Sequence, residues 1–374
     1  MQKIKTIVLK AYYRLLRRYA RRYIAKRQPF VIGINGSVGK TSARMIIHDV
    51  LQDHLWDDLI IYTSPQNFNG ELWLPLSIFQ IESWKSWLAG MWSALQTMKQ
   101  TLRNDEKPYD ILILEYGTDR PGEMEFLLSI VKPQLSVVTK FDAVHSLQYG
   151  NPQAIADEEL LLQTNTLLQC YINRDDSYAL ALAEKLESKI SYYSTSASWV
   201  QDKATIHASA YTLETDAAWL PQSHSTLHFA HQEIDIITNL LWHINLSYLA
   251  LGYDITHTIS KHYNLPPLSR NTTPSLHLQP GRLGVFAGKY ESILVDSTYN
   301  SSPASLRAII QESLVIHQEL YPDYARVFVL WEMRELGELE KSEHEALADR
   351  LADEILTPAD TVILLWKAME HTYR

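Results

Sequence analysis

The chain has 374 residues, enough for two or three domains, and its 46% hydrophobic share supplies a packed core, which excludes a disordered protein. Cys170 is the only cysteine, which excludes an internal disulfide and a cysteine-built zinc site. The formal charge of −9 is unevenly placed: residues 1–28 hold ten of the 34 Lys and Arg and no acid, leaving 24 basic against 43 acidic residues, a net −19, so nucleic acid is not an expected partner.

The first expected element is a basic amphipathic helix over 1–28. Ile4, Val8, Tyr12, Leu15, Tyr19 and Tyr23 recur at spacings of three and four and share one face. Two readings stand side by side: a helix resting on an anionic membrane surface, or a helix packed on the domain behind it with its charges in water. An organellar presequence ranks below both, because a core strand follows at once. No run of eighteen uncharged apolar residues occurs, so no spanning helix is expected.

From Phe30 the pattern alternates strand and helix. "FVIGIN" (30–35) reads as a buried strand, and "KTSARMIIHDVLQDHL" (40–55) as the helix after it. In 77–102, Trp84, Trp87, Met91, Trp92, Leu95 and Met98 fall at helical spacing and read as a packing face. "DILILEYG" (110–117) and "QLSVVTKF" (134–141) read as strands around the helical "MEFLLSIV"; "PQAIADEELLLQTN" reads as a helix and "CYINRDD" as a strand. Beyond 195 the chain turns strand-like, with His224, His228 and His231 as exposed positions, and then helical at "IDIITNLLWHINLSYLALG" (234–252). Strands at 281–300, "RVFVLWEM" and "DTVILLW" alternate with helices "SPASLRAIIQESLVIHQEL" and "SEHEALADRLADEIL". The predicted fold class is α/β: a central doubly wound parallel sheet carrying a P-loop, then a smaller Rossmann-like α/β domain. The expected boundaries are 1–28, 29–272 and 273–374.

The chemistry concentrates between β-strand and helix at "VIGINGSVGKTS" (31–42). Gly39-Lys40-Thr41 is the phosphate-gripping end of a P-loop, but Ile34 stands where the usual pattern has its first glycine. The glycines here are Gly33, Gly36 and Gly39. Backbone N–H groups of such a turn, with the helix N-terminus behind them, cradle phosphate oxygens. Gly36, Ser37, Val38 and Gly39 form the cradle, Lys40 reaches the β- and γ-phosphates, and the Thr41 hydroxyl suits Mg²⁺. Glu115, His145 and Asn173–Asp176 also fall at or just past strand ends, where open α/β sheets bind ligands.

"GINGSVGKTS" resembles the glycine loop of the Mur ligases, with glycines at the same three places. The likeness continues in order through "NFNGELWLPLSIF" (67–79), "LEYGTDRPGEMEFLLSIVKPQLSVVTKFDAVH" (114–145), "INRDD" (172–176), "PGRLGVF", "ILVDSTYNSSPASLRAII" and "VLWEMRELGELEKSEH". The last pieces are similar to the MurF-type branch, which joins D-alanyl-D-alanine to a muramyl tripeptide. The resemblance implies a cytoplasmic ligase using ATP and Mg²⁺. A muramyl-peptide carboxylate forms an acyl phosphate, and an amino acid or dipeptide amine displaces phosphate. It further implies Thr41 and Glu115 at one Mg²⁺ and His145 at a second, Asn173 and Asp176 at adenine and ribose, and Arg282, Asp296 and Asn300 closing over the nucleotide.

Three departures from the family pattern stand out. No separate UDP-sugar domain is expected before Phe30, and the third domain is expected to be incomplete, which implies a lipid-linked acceptor met at the membrane, or a protein partner. Lys140 replaces an asparagine, and Glu159 replaces a lysine that becomes carbamylated in the family. Glu159 is expected to supply a permanent carboxylate near the second Mg²⁺, with pairing to Lys140 or plain solvation as its other readings. The alternative functions are a nucleotide-binding scaffold of cell-wall enzymes at the membrane and an unrelated P-loop phosphohydrolase.

Overall fold

The computed structural model describes residues 2–66, 69–82, 87–141, 152–196, 206–266, 276, 280–299, 301–334, 336–365 and 367–372. A six-stranded sheet lies at its centre, built from β1 (Phe30–Asn35), β2 (Ile61–Thr63), β3 (Ile111–Glu115), β4 (Leu135–Val138), β5 (Gln169–Asn173) and β6 (Lys189–Tyr193). The order is β2-β3-β1-β4-β5-β6 and every pairing is parallel. β1 is buried along its whole length, as a central parallel strand must be. Its side chains alternate between two cores: Phe30, Ile32 and Ile34 enter one, Val31 the other. At Gly33 even a methyl group would press on the Tyr116 ring and Pro133 at 3.0–3.1 Å.

Helix α2 (Lys40–Leu55) covers the first face of the sheet. The second face is covered by α1 (Gln2–Arg27), α3 (Gly70–Ile78), α4 (Trp87–Arg103) and α5 (Glu123–Leu128). Short helices α6 (Pro152–Glu159), α7 (Leu161–Thr164) and α8 (Ser177–Ala183) flank β5. An antiparallel sheet of β7 (His207–Thr215), β8 (Pro221–Phe229) and β9 (Gln232–Thr238) follows, and then the long α9 (His243–Tyr263), which packs on α2.

Four sequence expectations are corrected here. The stretch 234–252 is not one helix. Ile234 and Ile236 point inward while Asp235 and Ile237 point out, so period-two alternation carries β9 to Thr238 before α9 begins. In α1 the buried stripe is Tyr12, Leu16, Ala20 and Tyr23, while Val8 and Leu15 are exposed. Small Ala20 lets the helix settle on this stripe, and Tyr23 packs on Phe79 at 4.8 Å between ring centroids. In α4 Met91 and Met98 are buried as expected, Ala94 joins them and Leu95 packs on the same core, but Trp92 is exposed; Trp84 lies outside the described residues. His228 is half-buried and stacks on His207 at 4.2 Å; His224 and His231 are exposed as expected. Among the described residues no group of three or more His, Cys, Asp or Glu gathers for a metal.

Because α1 completes the second core, Leu16→Ala is expected to destabilise the chain by about 2–5 kcal/mol, the usual cost of truncating a fully buried leucine. A chemical-denaturation midpoint equal to the parent's would show that α1 does not pack there.

The C-terminal part pairs β10 (Gly284–Ala287) with β11 (Ile293–Asp296) as an antiparallel hairpin, and β12 (Val327–Trp331) with β13 (Thr361–Leu365) in parallel. Helices α10 (Pro303–Leu320) and α11 (Glu340–Arg350) pack with them around Ile310, Leu330, Met333 and Leu347. Ser302 caps α10 with a reciprocal bond to Ser305, and Pro303 opens the helix. One face of the β12–β13 ladder is open: Val327, Val329, Trp331, Ile363 and Leu365 are all exposed. Leu241 and Trp242, just before α9, sit in the C-terminal core, and the Trp242 indole donates to the Leu283 carbonyl at 3.1 Å.

Candidate nucleotide site

The glycine loop leaves β1 and enters α2 without a break. Gly36 at φ 118 and Gly39 at φ 89 hold left-handed conformations that side-chain-bearing residues resist. Space enforces the same choice. A Cβ on Gly36 would strike the Thr139 hydroxyl, and one on Gly39 the Tyr248 hydroxyl. Gly39 is the N-cap of α2 and no side chain caps it, so the first-turn amides remain for an anion.

The loop is held from two sides. The Ser37 and Val38 amides donate to the Lys140 carbonyl at 2.7 and 3.2 Å. The Gly36 amide donates to the Glu159 carboxylate at 2.8 Å. The Lys40 ammonium folds back onto the Gly36 and Ser37 carbonyls. A cation thus already lies along the loop, at the place where phosphate charge is expected.

Glu115 ends β3 opposite Ile34 of β1, beside the loop. Its carboxylate accepts from Arg44 Nε at 2.6 Å, and both side chains are fully buried. Arg44 is spread over Thr63 Oγ1 at 2.8 Å and the Ser64 and Gln66 carbonyls. It thereby ties α2, β2 and β3 into one polar cluster. Arg44 follows Lys40 by one helical turn, but the helix also carries Asp49 and Asp53, so nothing in the sequence marked this charge for burial.

Arg282 comes to this cluster from the C-terminal part. Burial pulls its guanidinium below the usual arginine value, while Tyr299 and Glu115 oppose that shift and Arg44 adds to it. Its Cζ stands 3.9 Å over the Tyr299 ring, and its Nε is buried without a hydrogen-bond partner. Asp296 accepts from the Gly281 amide at 2.9 Å and from the Thr298 amide and hydroxyl at 3.1 and 2.7 Å. Its carboxylate therefore shapes the turn that carries Arg282.

The remaining site residues fall differently. Asn173 donates to the Thr139 carbonyl at 2.6 Å and accepts from the Asp175 amide at 3.0 Å. Asp176 caps α8 through the Ala179 amide at 2.9 Å and accepts from the Phe141 amide at 2.8 Å. These two residues also hold a turn and a helix cap, and their contact with adenine and ribose stays a proposal. Thr41 is buried at the head of α2. His145 and Asn300 lie outside the described residues. The acidic run of α6 divides: Asp157 is exposed, Glu158 accepts from the Gly122 and Met124 amides at 2.9 Å, and Glu159 is buried beneath the loop, so simple solvation does not describe it.

Sequence reasoning missed the head of α9. The Tyr248 hydroxyl beside Gly39, the Asn245 Oδ1 and both ring nitrogens of His243 are buried without hydrogen bonds of normal geometry. Burial lowers the His243 pKa, against the Ser196 backbone and Asp175, so the ring is held neutral. Unpaired buried polar atoms cost about 1–3 kcal/mol each. A polar ligand lying against the loop would offset that cost. A nucleoside triphosphate fits the loop on these grounds. Mg²⁺ fits as well, because Thr41 and Glu115 carry hard oxygen donors, and this ion commonly takes its other ligands from phosphate and water.

Residues 34–245 match the family described as the Mur ligase middle domain. The UDP-N-acetylmuramoyl-tripeptide–D-alanyl-D-alanine ligase of Mycobacterium leprae is 26% identical over 347 residues, which cover 86% of this chain and 59% of that protein. MurF from Acinetobacter baumannii superimposes with a TM-score of 0.71 at 18% identity, over 96% of this chain and 69% of that one. MurF from Thermotoga maritima in complex with ADP gives 0.70 at 21% identity, over 96% and 72%. These two likenesses concern the fold. The chain spans about three fifths of the length of the curated relatives it matches. With more than half of its residues inside the middle-domain match and the glycine loop, Glu115 and Arg282 drawn to one place, the chain belongs to the Mur ligase family.

Proposed function

We propose that the chain is an ATP- and Mg²⁺-dependent amide ligase that works through an acyl phosphate. Residues 29–272 bind the nucleotide and residues 273–374 close over it. The observation that carries this reading is the convergence of Lys40, Glu115, Arg44 and Arg282 at one end of the parallel sheet.

Loop amides and Lys40 hold the β- and γ-phosphates, and Thr41 and Glu115 hold Mg²⁺. Bound there, the ion neutralises phosphate charge as it builds up. Arg282 adds a cation from the far side, and Arg44 fixes the Glu115 carboxylate. The acceptor carboxylate oxygen bonds to the γ-phosphorus as the bond to ADP breaks. The amine then attacks the acyl carbon, inorganic phosphate leaves, and the amine's proton passes to solvent. The protein's part is alignment and charge compensation. The relatives' names support a muramyl-peptide acceptor and a D-alanyl-D-alanine amine.

A phosphate-release assay with ATP, Mg²⁺ and paired acceptor and amine candidates tests this. Release that needs both partners is the expected result. Release without an acceptor would indicate a hydrolase, and tight ATP binding with no release a scaffold.

We assign Glu159 to support of the loop through the Gly36 amide. Glu159→Gln keeps an acceptor there and is expected to hold ATP affinity within about threefold. Glu159→Ala leaves a buried amide unpaired, a cost of about 1–3 kcal/mol, and is expected to weaken ATP binding about tenfold. Calorimetric titration of nucleotide checks both. Equal loss in the two variants would return Glu159 to a role that needs its charge.

A further inference from the structure

We infer that the outward face of α1, with the exposed end of α4 beside it, is a docking surface for an anionic lipid membrane. This lies apart from the proposed ligase chemistry and does not depend on it. The helix settles its apolar stripe inward, so its outward face is left basic. Arg14, Arg17, Arg18, Arg21 and Arg22 line one shallow cleft. Arg14, Arg18, Arg21 and Arg22 are exposed and make no ion pair among the described residues; only Arg17 leans on the chain, 5.4 Å from the Phe126 ring centre. Like charges gathered without acids repel one another. Acids stand beside the helix, Glu71 near Lys10 and Tyr13 and Glu123 near Tyr13, yet among the described residues none forms an ion pair with these arginines.

Apolar side chains flank the arginines on one side. The Tyr12 hydroxyl donates to the Met91 carbonyl at 3.2 Å, which places α4 along the Tyr12 edge of α1. Val8 and Leu15 lie one turn either side of Tyr12 on that edge and are 48% and 36% exposed. Trp92, next to Met91, is 65% exposed. An arginine row edged by an uncovered Trp, Leu and Val matches a surface with anionic headgroups above and acyl chains below. A nucleic-acid backbone would use the arginines and leave the apolar edge in water. No described helix is long and apolar enough to cross the bilayer, so the contact is peripheral.

Sedimentation of the full chain with vesicles tests the assignment. Binding is expected to vesicles of phosphatidylcholine mixed with phosphatidylglycerol, not to phosphatidylcholine alone, and is expected to weaken as salt is raised. The triple variant Arg14→Ala, Arg18→Ala, Arg22→Ala should bind about a hundredfold more weakly, roughly fivefold per arginine at about 1 kcal/mol each. Its melting temperature should match the parent's, because the buried stripe is untouched. Trp92→Ala should also weaken binding, by an amount that persists at high salt. Equal binding to both vesicle types, or a triple variant that binds like the parent, would overturn the proposal. So would binding to soluble polyphosphate without binding to vesicles.

Discussion

Lys40→Ala is expected to lower ATP turnover by at least about 10²–10³-fold, the usual loss when one preorganised donor to a developing oxyanion is removed. The side chain is half-buried over the loop, and its ammonium rests on the Gly36 and Ser37 carbonyls. Triphosphate offers that ammonium stronger acceptors a short swing away, so the lysine exchanges weak neutral partners for charged ones. Little of the fold depends on it. The loop is set by Gly36, Gly39, the Lys140 carbonyl and Glu159. Phosphate release should fall while the thermal midpoint stays near the parent's, and nucleotide affinity measured by titration should fall as well. Normal turnover in Lys40→Ala would remove the loop from the chemistry.

Arg44→Met is expected to cost about 3–5 kcal/mol of stability and most of the activity. Methionine approximates the volume of the arginine stem but leaves Glu115 buried with no counter-charge 2.6 Å away. It also frees Thr63 and the Ser64 carbonyl, which Arg44 now satisfies. The double change Arg44→Met with Glu115→Leu separates the two losses. Replacing a whole buried pair by apolar groups is often neutral for folding, so much of the stability should return. Activity should not, because the carboxylate proposed to hold Mg²⁺ is gone. Denaturation midpoints and Mg²⁺ titrations of both variants check this. A stable Arg44→Met with unchanged Mg²⁺ dependence would mean that Glu115 needs no holder.

The central sheet was legible because its signals are local. "FVIGIN" and "ILILE" are short apolar runs bounded by turns, and the glycine loop between strand and helix admits few other structures. β2 and β6 escaped notice; "IYT" is three residues long, and β6 is only partly buried on the sheet's edge, so neither carries a strong pattern. Long-range partners were not legible. Nothing in the sequence says that Arg44 meets Glu115, 71 positions away, or that Glu159 meets Gly36 across 123. Asn173 and Asp176 show the same limit. Their residue types suit a nucleotide and suit a turn equally well, and their bonds to the Thr139, Phe141 and Ala179 backbone groups could not be read from the sequence.

The open face of β12–β13 carries a consequence for how the chain breathes. Val327, Val329, Trp331, Ile363 and Leu365 gain less from folding because they stay partly in water, whereas every residue of β1 is withdrawn from it. Opening the C-terminal ladder therefore costs far less than opening the central sheet, and the two need not unfold together. Amide hydrogen exchange should resolve them. Protons of β1 and β3 should exchange only through global unfolding, and those of β12 and β13 through small local excursions that leave the glycine loop intact.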